Sequence, residues 1–213
     1  DWRQKWTQGT QGQTDHQFPF GFVQLNSIGN KTVYNQPTDT TNGDPYNPQF
    51  GYAGLRWSQT AGYGYVPNAK MPRVFMATSF DTPDRPYPVP FNQGKSVDQG
   101  LNVHSPFKQQ PAARLARSAL EVAYSVQVDT TGPLVESVKR AAGGIVITIK
   151  NLGAGSGVEL HSTTGFEVLT ADSKWTSVPI QTHTNDTVTV GDVKGGTKLR
   201  YSWYSNPCGE DCF

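Results

Sequence analysis

With 213 residues, 35% of them hydrophobic and only 16% charged, the chain can form one large domain or two small ones. Its 22 glycines and 15 prolines mark a loop-rich, sheet-leaning composition. A formal charge of +1 without a Lys/Arg block gives no attraction for nucleic acid, and no run approaches the ~18 apolar residues of a spanning helix.

The polar opening DWRQKWTQGTQGQT lacks the apolar core of a signal peptide, as a processed chain would. Within it, Trp2 and Trp6 stand four apart, the spacing of a helix packed against the body of the protein. FPFGFVQL (18–25) reads as a buried strand, with Pro19 near its start where a missing donor is tolerated. Residues 26–50 are almost free of apolar side chains and are expected to form a long loop. LRWSQT (55–60) opens a helix that Gly62, Gly64 and Pro67 stop. Around it, Trp57, Tyr63 and Tyr65 sit among glycines, either packing a loop on the core or lining a sugar-binding cleft. VFMATSF (74–80) is a second strand; it ends at Asp81, with Asp84 three residues on. Pro83, Pro86, Pro88 and Pro90 then enforce an irregular stretch over 82–103.

Ser105-Pro106 has the form of an N-cap and first helical residue, but Pro111 cannot sit inside the same helix. The sequence therefore predicts one turn near 106–109 and a main helix from Pro111 to about Tyr124. Ala112, Leu115, Ala119, Leu120 and Ala123 form its sheet-facing side, with Arg114, Arg117 and Glu121 elsewhere.

After DTTGP (129–133) the character changes to short strands: GIVITIK (144–150), GVEL (157–160), FEVL (166–169), DTVTVG (186–191) and KLRYSWY (198–204). Alternation at Ile145, Ile147 and Ile149, and at Leu199, Tyr201 and Trp203, predicts one buried face per strand. The expectation is a small antiparallel β-sandwich over 131–213. Residues 1–130 hold too few strands to close a sheet, so completion by an upstream segment or a partner chain is expected.

Cys208 and Cys212 flank three residues, one too many for a redox CxxC, and two thiolates alone make an incomplete metal site. A small structural disulfide is the better reading; each cysteine could also pair with a distant thiol. Sequons at Asn30 and Asn185 agree with an oxidising compartment.

For chemistry, His104 before the helix is the best general base. Its carboxylate would be Asp98, six residues earlier, or Asp81 at the strand end, the usual address of functional groups in open α/β sheets. Asp84 is nearby too, and all three could simply cap loops. A nucleophile is missing: there is no GxSxG, and Ser156 falls in a hairpin turn. His16, His104, His161 and His183 are scattered, which predicts no metal, and no cofactor fingerprint occurs.

At DWRQKWTQGTQGQT (1–14), FPFGFVQL (18–25), LRWSQTAGYGYVPNAKMPRVFMATSFDTPDR (55–85), NVHSPFKQQPAARLARSALEVAY (102–124) and LRYSWYSNPC (199–208) the chain resembles the sialate O-acetylesterases of animals, and more broadly the SGNH-like serine acetylesterases. The resemblance implies the C-terminal part of an α/β SGNH-like three-layer hydrolase domain (1–130) followed by the β-sandwich (131–213). It also implies a secreted or lysosomal enzyme acting on O-acetylated sialoglycans. Its nucleophilic serine would come from an upstream, small-subunit fragment. His104 matches the family's catalytic histidine and Lys108 its following lysine, although HSPFK here replaces the usual HPRDK. The alternative is a non-catalytic glycan-binding or structural subunit using Trp57, Tyr63 and Tyr65 as stacking surfaces.

Overall fold

The computed structural model describes residues 2–27, 52–82, 105–153, 155, 157–204 and 207. Asp98, His104, Cys208, Cys212 and Asn30 lie outside them, as do most of the two expected long loops.

The first half is built on two short parallel strands, β1 (Phe20–Val23) and β2 (Val74–Ala77), in register Phe20 to Val74 and Val23 to Ala77. Gly21 lets the Phe75 ring lie against the backbone: a Cβ there would stand 2.2 Å from the ring and force it to move. Helix α1 (Trp2–Gly9) forms as the Trp spacing predicts. Trp2 meets Phe18 and Phe20 edge-on at 5.5 and 4.9 Å, whereas Trp6 stays exposed. Buried Arg3 anchors the helix by donating to the carbonyls of Phe18 and Pro72, at the amino end of the pair.

Helix α2 (Tyr52–Gln59) covers the predicted LRWSQT segment and begins earlier. Helix α3 (Gln109–Tyr124) begins two residues before Pro111. Pro111 therefore occupies the third helical position, where the N–H has no intrahelical partner to lose. Ser105 is not its N-cap; the Ser105 hydroxyl instead accepts a bond from the Phe107 N–H at 3.1 Å. The sheet-facing side of α3 also differs from the expected one. Pro111 and Ser118 are the buried residues, Ala112 and Leu120 are exposed, and Arg114 reaches inward to β2. A purely apolar stripe misses this because two polar side chains are satisfied by backbone carbonyls, Met76 in β2 and Thr78 just past it.

The second half contains two antiparallel sheets. One has the order β3-β4-β8-β7, with β3 (Leu134–Ala141), β4 (Gly144–Lys150), β7 (Ile180–His183) and β8 (Thr187–Val190). The other has the order β6-β5-β9, with β5 (Phe166–Leu169), β6 (Trp175–Val178) and β9 (Lys198–Tyr201). Ile145, Ile147, Val188 and Val190 from the first share one core with Phe166, Val168 and Val178 from the second. GVEL (157–160) is irregular rather than a strand, and Tyr201 points outward.

Both faces of β5 are buried. Opposite Phe166 and Val168, Glu167 is inaccessible to solvent and takes both guanidinium bonds of Arg200, at 2.7 and 2.9 Å. Arg200 lies 4.0 Å over the Trp175 ring and 5.6 Å over Trp203. Trp203 in turn meets Trp57 of α2 edge-on at 6.0 Å, joining this sheet to the first half.

Candidate active-site edge

The chain leaves both parallel strands into turns dominated by small polar residues, and these turns lock together. Ser79 Oγ donates to the Gln24 carbonyl at 2.6 Å, Asn26 Nδ2 to the Thr82 carbonyl at 2.9 Å, and Ser27 Oγ to the Phe80 carbonyl at 2.5 Å. All five of Gln24, Asn26, Ser27, Ser79 and Thr82 are buried. These bonds tie the carboxyl ends of the two strands together, although the buried Gln24 Oε1 accepts no bond among the described residues.

Arg56 closes it from α2. Its guanidinium donates to the carbonyls of Leu25 (2.8 Å), Asn26 (2.9 Å) and Tyr204 (2.8 Å). One turn later Gln59 caps the same strand, accepting from Leu25 N–H at 2.8 Å and donating to the Val23 carbonyl at 3.3 Å. Burial lowers the pKa of Arg56 to about 10, so it remains a cation at neutral pH. Arg56 and Gln59, which hold the strand end, are not singled out by the sequence. Their three-residue spacing on one helical face is the signal that could have found them.

Helix α3 starts at this edge. Arg114 donates to the Thr78 carbonyl just past β2, and Ser118, one turn on, donates to Met76 within it. The helix therefore runs back along β2, with its N-terminus beside the strand ends. Ser105, the residue after His104, is buried, and Lys108 immediately before the helix is exposed.

Asp81 lies in the turn after β2, which ends at Ala77 rather than running to Phe80, and Arg114 engages both its carboxylate oxygens, at 2.7 and 2.6 Å. The carboxylate raises the pKa of Arg114, chiefly through those hydrogen bonds. The pair fastens α3 to the end of β2. The serines here are committed as well: Ser27 and Ser79 spend their protons on carbonyls inside the lattice. Trp57, Tyr63 and Tyr65 are exposed on α2 and the loop after it, and Asn185 is exposed in the β7–β8 turn. Among the described residues, no group of three or more His, Cys, Asp or Glu is placed to hold a metal ion.

No family model matches the sequence. The chain is 33% identical over 216 residues, 98% of its length, to the sialate O-acetylesterase of Mus musculus. It is 32% identical over 217 residues to that of Homo sapiens. It spans 35% and 36% of those proteins, about a third of their length. Among solved structures, a carbohydrate acetylesterase from Xanthomonas citri superposes with a TM-score of 0.64 over 97% of this chain and 42% of that one, at 21% identity. The structural likeness shows a shared fold, mixed α/β with several sheets. The sequence likeness makes the chain a homologue of the sialate O-acetylesterases along nearly all its length.

Proposed function

We propose that this homologue of the sialate O-acetylesterases carries the acid–base half of a serine-type acetylesterase site. The observation that carries the reading is the 98% coverage by relatives of that name. In support, α3 begins at the carboxyl edge of a parallel strand pair, where open α/β sheets place their chemistry. His104, one residue before buried Ser105, is assigned as the general base.

In the proposed cycle a serine from outside these 213 residues attacks the acetyl carbonyl and gives its proton to His104. The imidazolium returns that proton to the departing sugar oxygen, leaving an acetyl-enzyme. His104 then takes a proton from water, whose oxygen attacks the acyl carbon; as the acyl–serine bond breaks, the imidazolium gives that proton to the serine oxygen, and acetic acid leaves and ionises to acetate. Of the two candidate acids, we assign Asp98 to orient the imidazole, because both Asp81 oxygens already hold Arg114.

The same proposal divides the chain near residue 130 into part of an SGNH-like hydrolase domain and a β-sandwich. The missing strands and the serine come from an upstream fragment or partner. Among the described residues the parallel sheet has two strands, which supports this, since parallel sheets are ordinarily larger and covered on both faces. A secreted or lysosomal location belongs to it too, supported by Cys208, Cys212 and the two sequons.

The test is acetate release from O-acetylated sialic acid by the full-length protein, with trapping by an organophosphate serine reagent. Release abolished by the reagent is the expected result. Turnover insensitive to it would sink the serine mechanism.

A further inference from the structure

The loop after α2 turns its polar groups inward and its aromatic rings outward. Asn68 makes four of the bonds that close it: Nδ2 donates to the carbonyls of Thr60 (2.9 Å) and Tyr65 (2.8 Å), while Oδ1 accepts from Lys70 and Met71 N–H, both at 3.0 Å. Buried Thr60 accepts from Gly64 N–H at 2.8 Å, and Val66 is buried as the loop's apolar anchor. Gly62 and Gly64, at φ +82° and +78°, lie against the Trp57 ring, which thus supports the loop from beneath. Tyr63 and Tyr65 remain 38% and 43% exposed, their rings perpendicular with centroids 6.3 Å apart. Lys70 Nζ stands 5.9 Å over Tyr63. From 57 to 71 the sequence contains no carboxylate.

An apolar ring face beside a hydroxyl and an ammonium, fixed in place before binding, suits a pyranose: C–H groups on the ring face, hydroxyls on the phenol, an acid on the amine. We propose that Tyr63, Tyr65 and Lys70 form a subsite for an acidic sugar residue of a glycan. The choice of an acidic sugar follows from the lone cation, and its identity as a sialic acid rests on the function proposed above. The subsite holds the glycan by stacking and charge and takes no part in the acyl transfer.

Saturation-transfer NMR and titration calorimetry of the full-length protein with sialyllactose and with lactose test this. Sialyllactose is expected to bind several-fold more tightly than lactose, with saturation centred on the sialic acid. Tyr63→Ala combined with Tyr65→Ala should weaken sialyllactose by about tenfold, the size of one good aromatic contact. Lys70→Gln, at an exposed side chain that the fold does not need, should reduce the preference over lactose to near unity. Binding should persist in His104→Ala. Sialyllactose binding by a parent protein that releases no acetate would overturn the catalytic reading and leave this one standing. Unchanged sialyllactose affinity in both platform variants, or Tyr63 and Tyr65 protected from surface labelling by another polypeptide, would overturn the subsite.

Discussion

Replacing Arg56 by Met tests whether the carboxyl edge is held together from α2. The substitution keeps most of the side-chain volume and removes three charge-assisted bonds, to Leu25, Asn26 and Tyr204. At about 2 kcal/mol each these sum to about 6 kcal/mol. Against this, keeping the guanidinium charged inside costs about 3 kcal/mol, read from its lowered pKa, and Met regains that. The net expectation is a loss of about 3 kcal/mol, close to 10 °C in melting temperature for a chain of this length. Urea unfolding followed by tryptophan fluorescence reads it directly, since Trp57 and Trp203 sit either side of the junction that Arg56 spans. Arg56→Lys should fall between, because one ammonium cannot match a planar fork. A Met variant within 1 kcal/mol of the parent would refute the claim that this arginine clasps the strand ends to the C-terminal segment.

Four further outcomes are expected. Glu167→Gln leaves Arg200 charged and buried, so a loss of about 3–5 kcal/mol is expected in the same urea assay; a loss under 1 kcal/mol would contradict the buried pair. Asp81→Asn should cost only about 1 kcal/mol, because the Arg114 pair is partly exposed, and should lower acetate release less than tenfold. Asp98→Asn should lower that release by orders of magnitude, and the reverse ranking would return the catalytic acid to Asp81. Burial raises the pKa of Tyr204 above the ordinary tyrosine value near 10. Above pH 10 the unfolded phenol ionises before the native one, so stability falls as pH rises through that window. Tyr204→Phe should flatten the decline between pH 9 and 11, whereas parallel curves for variant and parent would show that Tyr204 is not its source.

What could be read from sequence divides along physical lines. The Ile145-Ile147-Ile149 alternation located β4 because that strand is central and has one face on the core. Strands β3, β6 and β7 passed unnoticed, and all three are sheet edges whose polar, exposed residues blur the period of two. Arg56 and Glu167 defeat a hydropathy pattern for another reason: each is a charge accommodated inside by specific partners. At the site, the approach of α3 to the carboxyl edge was legible from the strand–loop–helix order. The Asp81–Arg114 pairing was not, since it joins residues 33 positions apart.

The central claim is that His104 is the base of an acetyl-ester hydrolase. The most direct measurement is kcat/KM for acetate release by His104→Ala beside the parent full-length protein, with folding checked by urea unfolding. A fall of about a thousandfold or more is expected, with stability unchanged within about 1 kcal/mol. Equal kcat/KM in the two proteins would contradict it.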